Sequence, residues 1–178
     1  TKNRNTTSIL NNYKSENILI DCGEGTQRQL KIKKLSPSKI TKILITHWHG
    51  DHILGLPGLI QTLSHSDYKK TLEIYGPKNT KKYLKNLLDS FRYQETKIKI
   101  KVIEINSNKK IFENKDFSLH SQKTKHSIES LAYSIQEKER RKINLTYTKK
   151  FGLTKDKILG KLQQGKTITF KGKKITPE

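Results

Sequence analysis

Apolar residues recur along this chain in two rhythms, and the change between them divides its fold. Ser8–Leu10 and Asn17–Cys22 read as two strands joined by a polar turn, Asn11–Glu16. Gly23-Glu24-Gly25 breaks the extended run. Thr26–Leu35 then has helix-forming composition, with apolar residues at 30, 32 and 35, and Pro37 closes it. Ile40–Thr46 is a continuous enough apolar run for a buried strand. His52–Leu63 is predicted helical, with Ile53, Leu54, Leu56, Leu59, Ile60 and Leu63 on one face and Pro57 near the first turn, where proline is tolerated. Thr71–Tyr75 is a further strand stopped by Gly76-Pro77, and Lys78–Phe91 carries apolar residues at 83, 84, 87, 88 and 91, an amphipathic helix.

From Lys97 the period becomes two. Ile98, Ile100, Val102 and Ile105 suggest a long strand, and Lys109–Phe112, Asp116–His120 and Ser130–Gln136 follow as further strands of an antiparallel set. Interleaved strands and helices followed by a β-rich half predict an α/β fold of two sheets with helices outside. After Glu137 the character changes. Lys138-Glu139-Arg140-Arg141-Lys142 leads into a weak helix, apolar residues thin out, and Gly152, Gly160, Gly165 and Gly172 recur at roughly even intervals. Two regions are therefore expected: residues 1–137 as the core domain and 138–178 as an extended basic projection, with a disordered tail as the alternative reading.

Composition sharpens this picture in three respects. Only 31% of the 178 residues are hydrophobic and 30% are charged, so the core must be lean. Cys22 is the only cysteine, which excludes an intrachain disulfide and points to a reducing, cytoplasmic setting. The longest apolar runs fall well short of a membrane span. The net charge is 37 − 16 = +21. Part of it follows codon composition, since 32 of the 37 cations are Lys and the chain is rich in Ile and Asn. Such a bias would spread evenly, yet residues 138–178 hold 13 Lys/Arg against three acids, a net +10 in 41 residues. Concentrated positive charge of this kind fits a phosphate-rich partner, nucleic acid above all.

The strongest chemical signal is His47-Trp48-His49-Gly50-Asp51-His52, three imidazoles and a carboxylate at the end of the apolar run. Burying four such groups without a partner would cost several kcal/mol. They are the ligands of a borderline divalent cation such as zinc. In extended chain His47 and His49 turn toward one ion, while Asp51 and His52 face a neighbouring position where the chain bends into a helix. Two ions about 3.5–4 Å apart suit an in-line displacement at phosphorus. A third ligand for the first ion must come from elsewhere, with His65, His120 and His126 as candidates. His65 sits in a polar stretch that ends a helix, and His120 lies within a strand. His126 follows Lys123-Thr124-Lys125 at a strand end, repeating the placement of the first cluster, and is the choice.

Leu44 to His52, continuing through Gly55-Leu56-Pro57-Gly58, resembles the signature of the metallo-β-lactamase superfamily in the form carried by the ribonuclease Z family of tRNA 3′-processing endonucleases. Asp21-Cys22-Gly23-Glu24-Gly25-Thr26-Gln27-Arg28-Gln29 is similar to that family's first motif. Ile74-Tyr75-Gly76-Pro77 and His126 with Leu131-Ala132-Tyr133 follow in matching order, and Thr1-Lys2-Asn3-Arg4-Asn5 resembles the end of a substrate loop. The resemblance implies the metallo-β-lactamase αββα sandwich, here incomplete in its C-terminal part, with a protruding basic arm. It implies two zinc ions, one held by His47, His49 and His126 and one by Asp51 and His52. Asp51 would be the proton acceptor, and metal-bridging hydroxide would attack the phosphodiester that joins the 3′ trailer to precursor tRNA. Asp21 would hold the metal loop from behind, a role that the residues alone do not separate from capping the following helix.

Substrate contacts would fall on Lys2, Arg4 and Asn5 and, in the arm, on Gly160 and Lys161. The family's Gly-Pro just upstream of that arm motif is here Asp156-Lys157. The family also implies a homodimer in which one subunit's arm grips tRNA for the other's active site. A bridging Asp and a last His are expected beyond Glu178, since no histidine follows His126, and the segment alone is expected to bind zinc weakly and not to cleave. The alternatives are another hydrolase of the superfamily, arylsulfatase-like or acting on small esters, and a non-catalytic RNA-binding paralogue.

Overall fold

Whether a strand is covered on one face or two decides where this chain can bury its few apolar residues. In the computed structural model, which describes residues 4–90, 98–154 and 157–177, the third strand is covered on both. The chain divides into two compact units, Thr1–Gln136 and Glu137–Glu178.

The first unit begins with a hairpin, β1 (Ile9–Tyr13) against β2 (Glu16–Ile20), and continues through helix α1 (Thr26–Ile32) to β3 (Lys42–Leu44). Two helices follow, α2 (Gly50–Ile53) and α3 (Leu56–His65), then β4 (Thr71–Pro77), α4 (Thr80–Asp89) and β5 (Lys99–Ile105). These strands form one sheet in the order β1-β2-β3-β4-β5, parallel from β2 onward. A second sheet holds β6 (Lys109–Glu113), β7 (Phe117–Thr124) and β8 (Ser130–Glu137) in that order.

Side chains alternate across the first sheet. Leu19, Ile43, Ile45 and Ile74 point into a cluster with Leu56, Leu59, Ile60 and Leu63 of α3 and Leu84 of α4. Ile18, Leu44 and Tyr75 point the other way, onto Phe117 and Leu119 of β7 and Leu131 of β8. Helices, five-stranded sheet and three-stranded sheet thus form three layers. Each fully buried aliphatic or aromatic side chain contributes roughly 1.5–3 kcal/mol. Lys42 also lies inside, with its ammonium on Glu16 (2.9 Å) and Glu73 (3.4 Å) and over the Phe112 ring at 4.1 Å.

Three expectations need correction. The polar turn expected over Asn11–Glu16 is mostly strand: Asn11, Asn12 and Tyr13 belong to β1, because an edge strand tolerates polar side chains, and only Lys14 and Ser15 turn. The alternating segment after Lys97, itself outside the described residues, does not join the antiparallel set. β5 pairs parallel with β4 at the edge of the first sheet, with Ile100 and Val102 packed toward the helices and Ile103 and Ile105 toward the second sheet. The single helix expected over His52–Leu63 is two, starting earlier at Gly50 and broken at Leu54-Gly55. The break has a steric cause. Gly55 N donates to Cys22 O (2.9 Å), and a Cβ at Gly55 would lie 2.2 Å from Gly23 O.

The second unit has a small core of its own, unlike the coreless projection expected. Helices α5 (Leu145–Lys149) and α6 (Leu159–Gln163) and the hairpin β9 (Ile168–Phe170) to β10 (Lys173–Ile175) bury Leu153, Leu159, Leu162 and Ile168. Lys171 and Gly172, both at positive φ (49° and 74°), form its two-residue turn, the conformation that matches the strands' twist.

Replacing Gly55 by alanine should lower stability by about 1–3 kcal/mol, the usual scale of overpacking against fixed backbone. Gly160→Ala, where the added methyl meets nothing within 4 Å, should leave stability unchanged or slightly raised. Urea unfolding followed by circular dichroism compares the two.

Candidate metal centre

Leu44 ends β3, and the chain runs on as a short extended loop before Gly50 starts α2, so the ligand cluster sits at the C-terminal edge of the parallel sheet. Both sheets pin this loop. Ile45 N donates to Tyr75 O (2.7 Å), Leu131 N donates to Thr46 O (2.9 Å), and the Tyr133 hydroxyl donates to Ile45 O (2.8 Å). Burial pushes the Tyr133 hydroxyl pKa well above its ordinary value, which keeps it a donor.

His47, His49 and His126 come together so that one ligating nitrogen from each lies within 4.8 Å of the others. His126 arrives from the β7–β8 connection, 77 residues along the chain, and its Nε2 stands 3.3 Å from His49 Nδ1. Burial first, and then the charges of His52, His126 and His49, hold the His47 pKa below the usual histidine range against the opposing pull of Asp21. A neutral imidazole is the form that can bind a metal.

Asp21 organises the cluster from behind. It is 1% exposed and takes a left-handed backbone conformation, φ 57°. Its carboxylate accepts from Thr46 N (2.8 Å), the Thr46 hydroxyl (2.8 Å) and His52 Nδ1 (2.7 Å). The tautomers follow. A carboxylate only accepts, so Thr46 Oγ1 spends its proton on Asp21 and has only lone pairs for His47 Nδ1, 2.9 Å away. Both His47 and His52 therefore carry a proton on Nδ1, which leaves Nε2 of the neutral His47 ring bare. His52 Nε2 faces Asp51 Oδ2 at 3.6 Å, and the Asp51 side chain is 63% exposed. The Cys22-Gly23 backbone locks against this turn: Cys22 N donates to His52 O (2.8 Å), and a Cβ at Gly23 would fall 2.1 Å from Asp51 O. Asp21 does not cap α1, which starts after Gly25 at φ 79° with no side-chain cap.

The other expected site residues are distributed as follows. Arg4 and Asn5 are exposed, with Asn5 Oδ1 accepting from Gln29 Nε2 (2.9 Å), while Lys2 lies outside the described residues. Gly160 and Lys161 are exposed on α6 of the second unit, and Asp156 is outside the described residues. His65 ends α3 with its Nδ1 on Gln61 O (2.8 Å), and His120 Nε2 bonds Ser118 (2.9 Å), so neither joins the triad. Two features escaped the sequence. Thr46 relays Asp21 to His47, and a cavity of about 590 Å³ opens beside His49, lined by Trp48, Ile53, Asn79, Tyr83 and Ile128. Thr46 carries no ligand chemistry of its own, and Tyr83 reads from the sequence only as a helix-face residue.

A family model described as Anti-Pycsar protein Apyc1 matches residues 1–172. Proteins named ribonuclease Z from Nanoarchaeum equitans and Thermococcus kodakarensis are 41% and 43% identical over 178 and 179 residues, covering all of this chain and 55% and 56% of theirs. The chain thus spans about half the length of the curated relatives it matches. The crystal structure of human tRNase Z, short form, is similar with a TM-score of 0.69 at 31% identity over 77% of this chain and 60% of that one. The metallo-β-lactamase fold protein YhfI from Bacillus subtilis matches in fold alone, with a TM-score of 0.59 at 22% identity over 76% and 52% of the two chains. The chain belongs to the family described as Anti-Pycsar protein Apyc1, and it is a relative of ribonuclease Z with the metallo-β-lactamase fold.

Proposed function

We propose that this chain carries the metal-binding half of a zinc-dependent endoribonuclease that removes the 3′ trailer from precursor tRNA. The observation that carries the reading is the triad beside Asp51. Two nitrogens each about 2.0–2.1 Å from a tetrahedral zinc stand about 3.3–3.4 Å apart. His49 Nδ1 and His126 Nε2 are 3.3 Å apart, and His47 offers its bare Nε2 beside them. Asp51 and His52 would serve the second ion. Zinc bound by these residues would supply Lewis acidity for phosphodiester hydrolysis near neutral pH.

The protein's own groups do the rest. Asp51 is open to solvent on the turn that begins α2, placed to take the proton of the attacking water. Asp21 and Thr46 hold the two imidazoles in the tautomers that metal binding needs. Trp48 donates its indole N–H to Thr80 (2.9 Å), which fixes one wall of the cavity where the substrate's reacting end would lie. The RNA assignment draws on the ribonuclease Z relatives and on the +10 charge of residues 138–178, with Gly160 and Lys161 and the segment from Lys2 to Asn5 as substrate contacts. The working form would be a cytoplasmic homodimer whose arms reach substrate on the partner. Burial pushes the Cys22 thiol pKa up to about 12, so it stays protonated, and among the described residues no helix is long and apolar enough to cross a membrane. A second reading, another hydrolase of the same fold, is compatible with the matching family model, which is described as Anti-Pycsar protein Apyc1.

The full-length protein incubated with a 3′-extended tRNA should release the trailer when loaded with zinc and stop when a chelator is added. An intact trailer in the zinc-loaded sample sinks the proposal. Asp51→Ala should lower cleavage by about 10²–10⁴-fold, the span of general base catalysis, while filter binding reports unchanged tRNA affinity. Asp21→Asn should weaken zinc binding by roughly 10–100-fold in competition with a chelating dye, and His65→Ala should leave it unchanged.

A further inference from the structure

The cavity beside His49 is built more closely than holding a reacting phosphate requires. One wall is Trp48, which stands between two of the triad histidines and is locked in place. Its indole N–H donates to Thr80 Oγ1 (2.9 Å), and the fully buried Thr80 hydroxyl donates in turn to Pro77 O (2.7 Å). Gly76 makes room for this lock, because a Cβ there would lie 2.4 Å from Thr80 Oγ1. Tyr83 of α4 brings a second ring, its centroid 5.5 Å from that of Trp48 with the planes at 60°. The two rings meet as a corner, and Tyr83 remains 41% exposed.

Asn79 and Asn86 line the same cavity. Asn79 precedes α4 in a left-handed conformation (φ 69°), yet its side chain does not cap the helix. Each amide offers both donors and an acceptor. The volume of about 590 Å³ lies within the roughly 300–1,000 Å³ usual for small-ligand sites. Charge does not select the occupant, since Lys78 and Glu129 oppose one another in the lining. Rings, amides and a metal-ligating imidazole in one wall select a planar group with a hydrogen-bonding edge, carried next to a phosphate. That is an unpaired base, which stacks on an aromatic face and is read along its edge. We propose that the nucleotide adjoining the cut phosphate stacks its base on Tyr83 beside Trp48, while Asn79 and Asn86 bond the base edge. Tyr83 and the two asparagines then decide which nucleotide is accepted at the cut. The identity of the ligand rests on the nuclease reading; the pocket itself is a feature of α4 and the ligand loop.

The test uses the full-length, zinc-loaded protein and 3′-extended tRNA carrying an abasic nucleotide on one or the other side of the cut phosphate. Tyr83→Ala should lower kcat/KM on intact tRNA by about 5- to 150-fold, the worth of one stacked base. Removing the base should cost the parent the same factor and cost Tyr83→Ala nothing further. The side of the cut at which this holds tells whether the base belongs to the retained tRNA or to the trailer. Tyr83→Phe, which keeps the ring, should recover the parent's rate. Asn79→Ala with Asn86→Ala should narrow the spread of rates among the four bases at that position. An undiminished rate for Tyr83→Ala overturns the proposal, as does a further loss on both abasic substrates or an unchanged spread in the asparagine variant. A second measurement needs no cleavage. Adenosine 5′-monophosphate should quench the Trp48 fluorescence, taken as the difference from Trp48→Phe, and Tyr83→Ala should weaken that binding by about 5- to 150-fold. A nucleotide that quenches no more than ribose 5-phosphate overturns the proposal as well. Uncut tRNA together with base-dependent quenching would overturn the nuclease reading and leave the pocket standing.

Discussion

The Asp21 carboxylate is the interaction on which the rest of the first unit turns. It is buried, sits on a backbone conformation that most residues avoid, and gathers three donors from two segments of chain. A left-handed non-glycine residue and a desolvated charge each cost about 1–3 kcal/mol or more, so the arrangement persists only because its surroundings over-determine it. Those surroundings are the parallel ladder that delivers Asp21 beside Thr46 and the glycines that let Cys22-Gly23 touch the α2 turn.

The layered fold explains why that loop can be rigid without being helical or paired along its length. β3 is only three residues long in its ladder, yet Ile43 and Leu44 anchor two different cores, one toward the helices and one toward the second sheet. Beyond Leu44 the chain is held by single hydrogen bonds from Tyr75, Leu131 and Tyr133. The second sheet thus has two tasks at the site: it delivers His126 from the β7–β8 connection, and it braces the backbone that bears His47 and His49. A site assembled from both sheets is positioned to the accuracy of their packing, which suits a cluster whose nitrogen spacing matters at tenths of an ångström.

Much of this was legible in the residues, and the exceptions have physical causes. The consecutive apolar residues Ile43, Leu44 and Ile45 mark a strand covered on both faces, and the His-x-His-x-Asp-His run after it points to a metal site. His126 could be chosen by its place after a strand. Lys42 could not be read as buried, because its burial depends on Glu16 and Glu73 arriving from neighbouring strands. Nor could the tautomers be read, since they depend on a backbone angle at Asp21 and on Thr46, 25 residues apart. The small core of the second unit escaped because only Leu159 and Leu162 share a helical spacing, while Leu153 and Ile168 lie apart from them in sequence beyond turns at positive-φ glycines.

That small core sits beneath a surface of like charges. Four buried aliphatic side chains must hold together a segment whose cations repel one another at every separation shorter than the screening length. Ionic strength therefore acts on this unit with two opposite signs. Added salt relaxes the self-repulsion and steadies the unliganded unit, while the same salt loosens its hold on a polyanion. A bound polyanion relieves the repulsion more completely than any salt, because it cancels charge at contact. Binding of any polyanion and folding of the unit would in that sense be one equilibrium, each favouring the other.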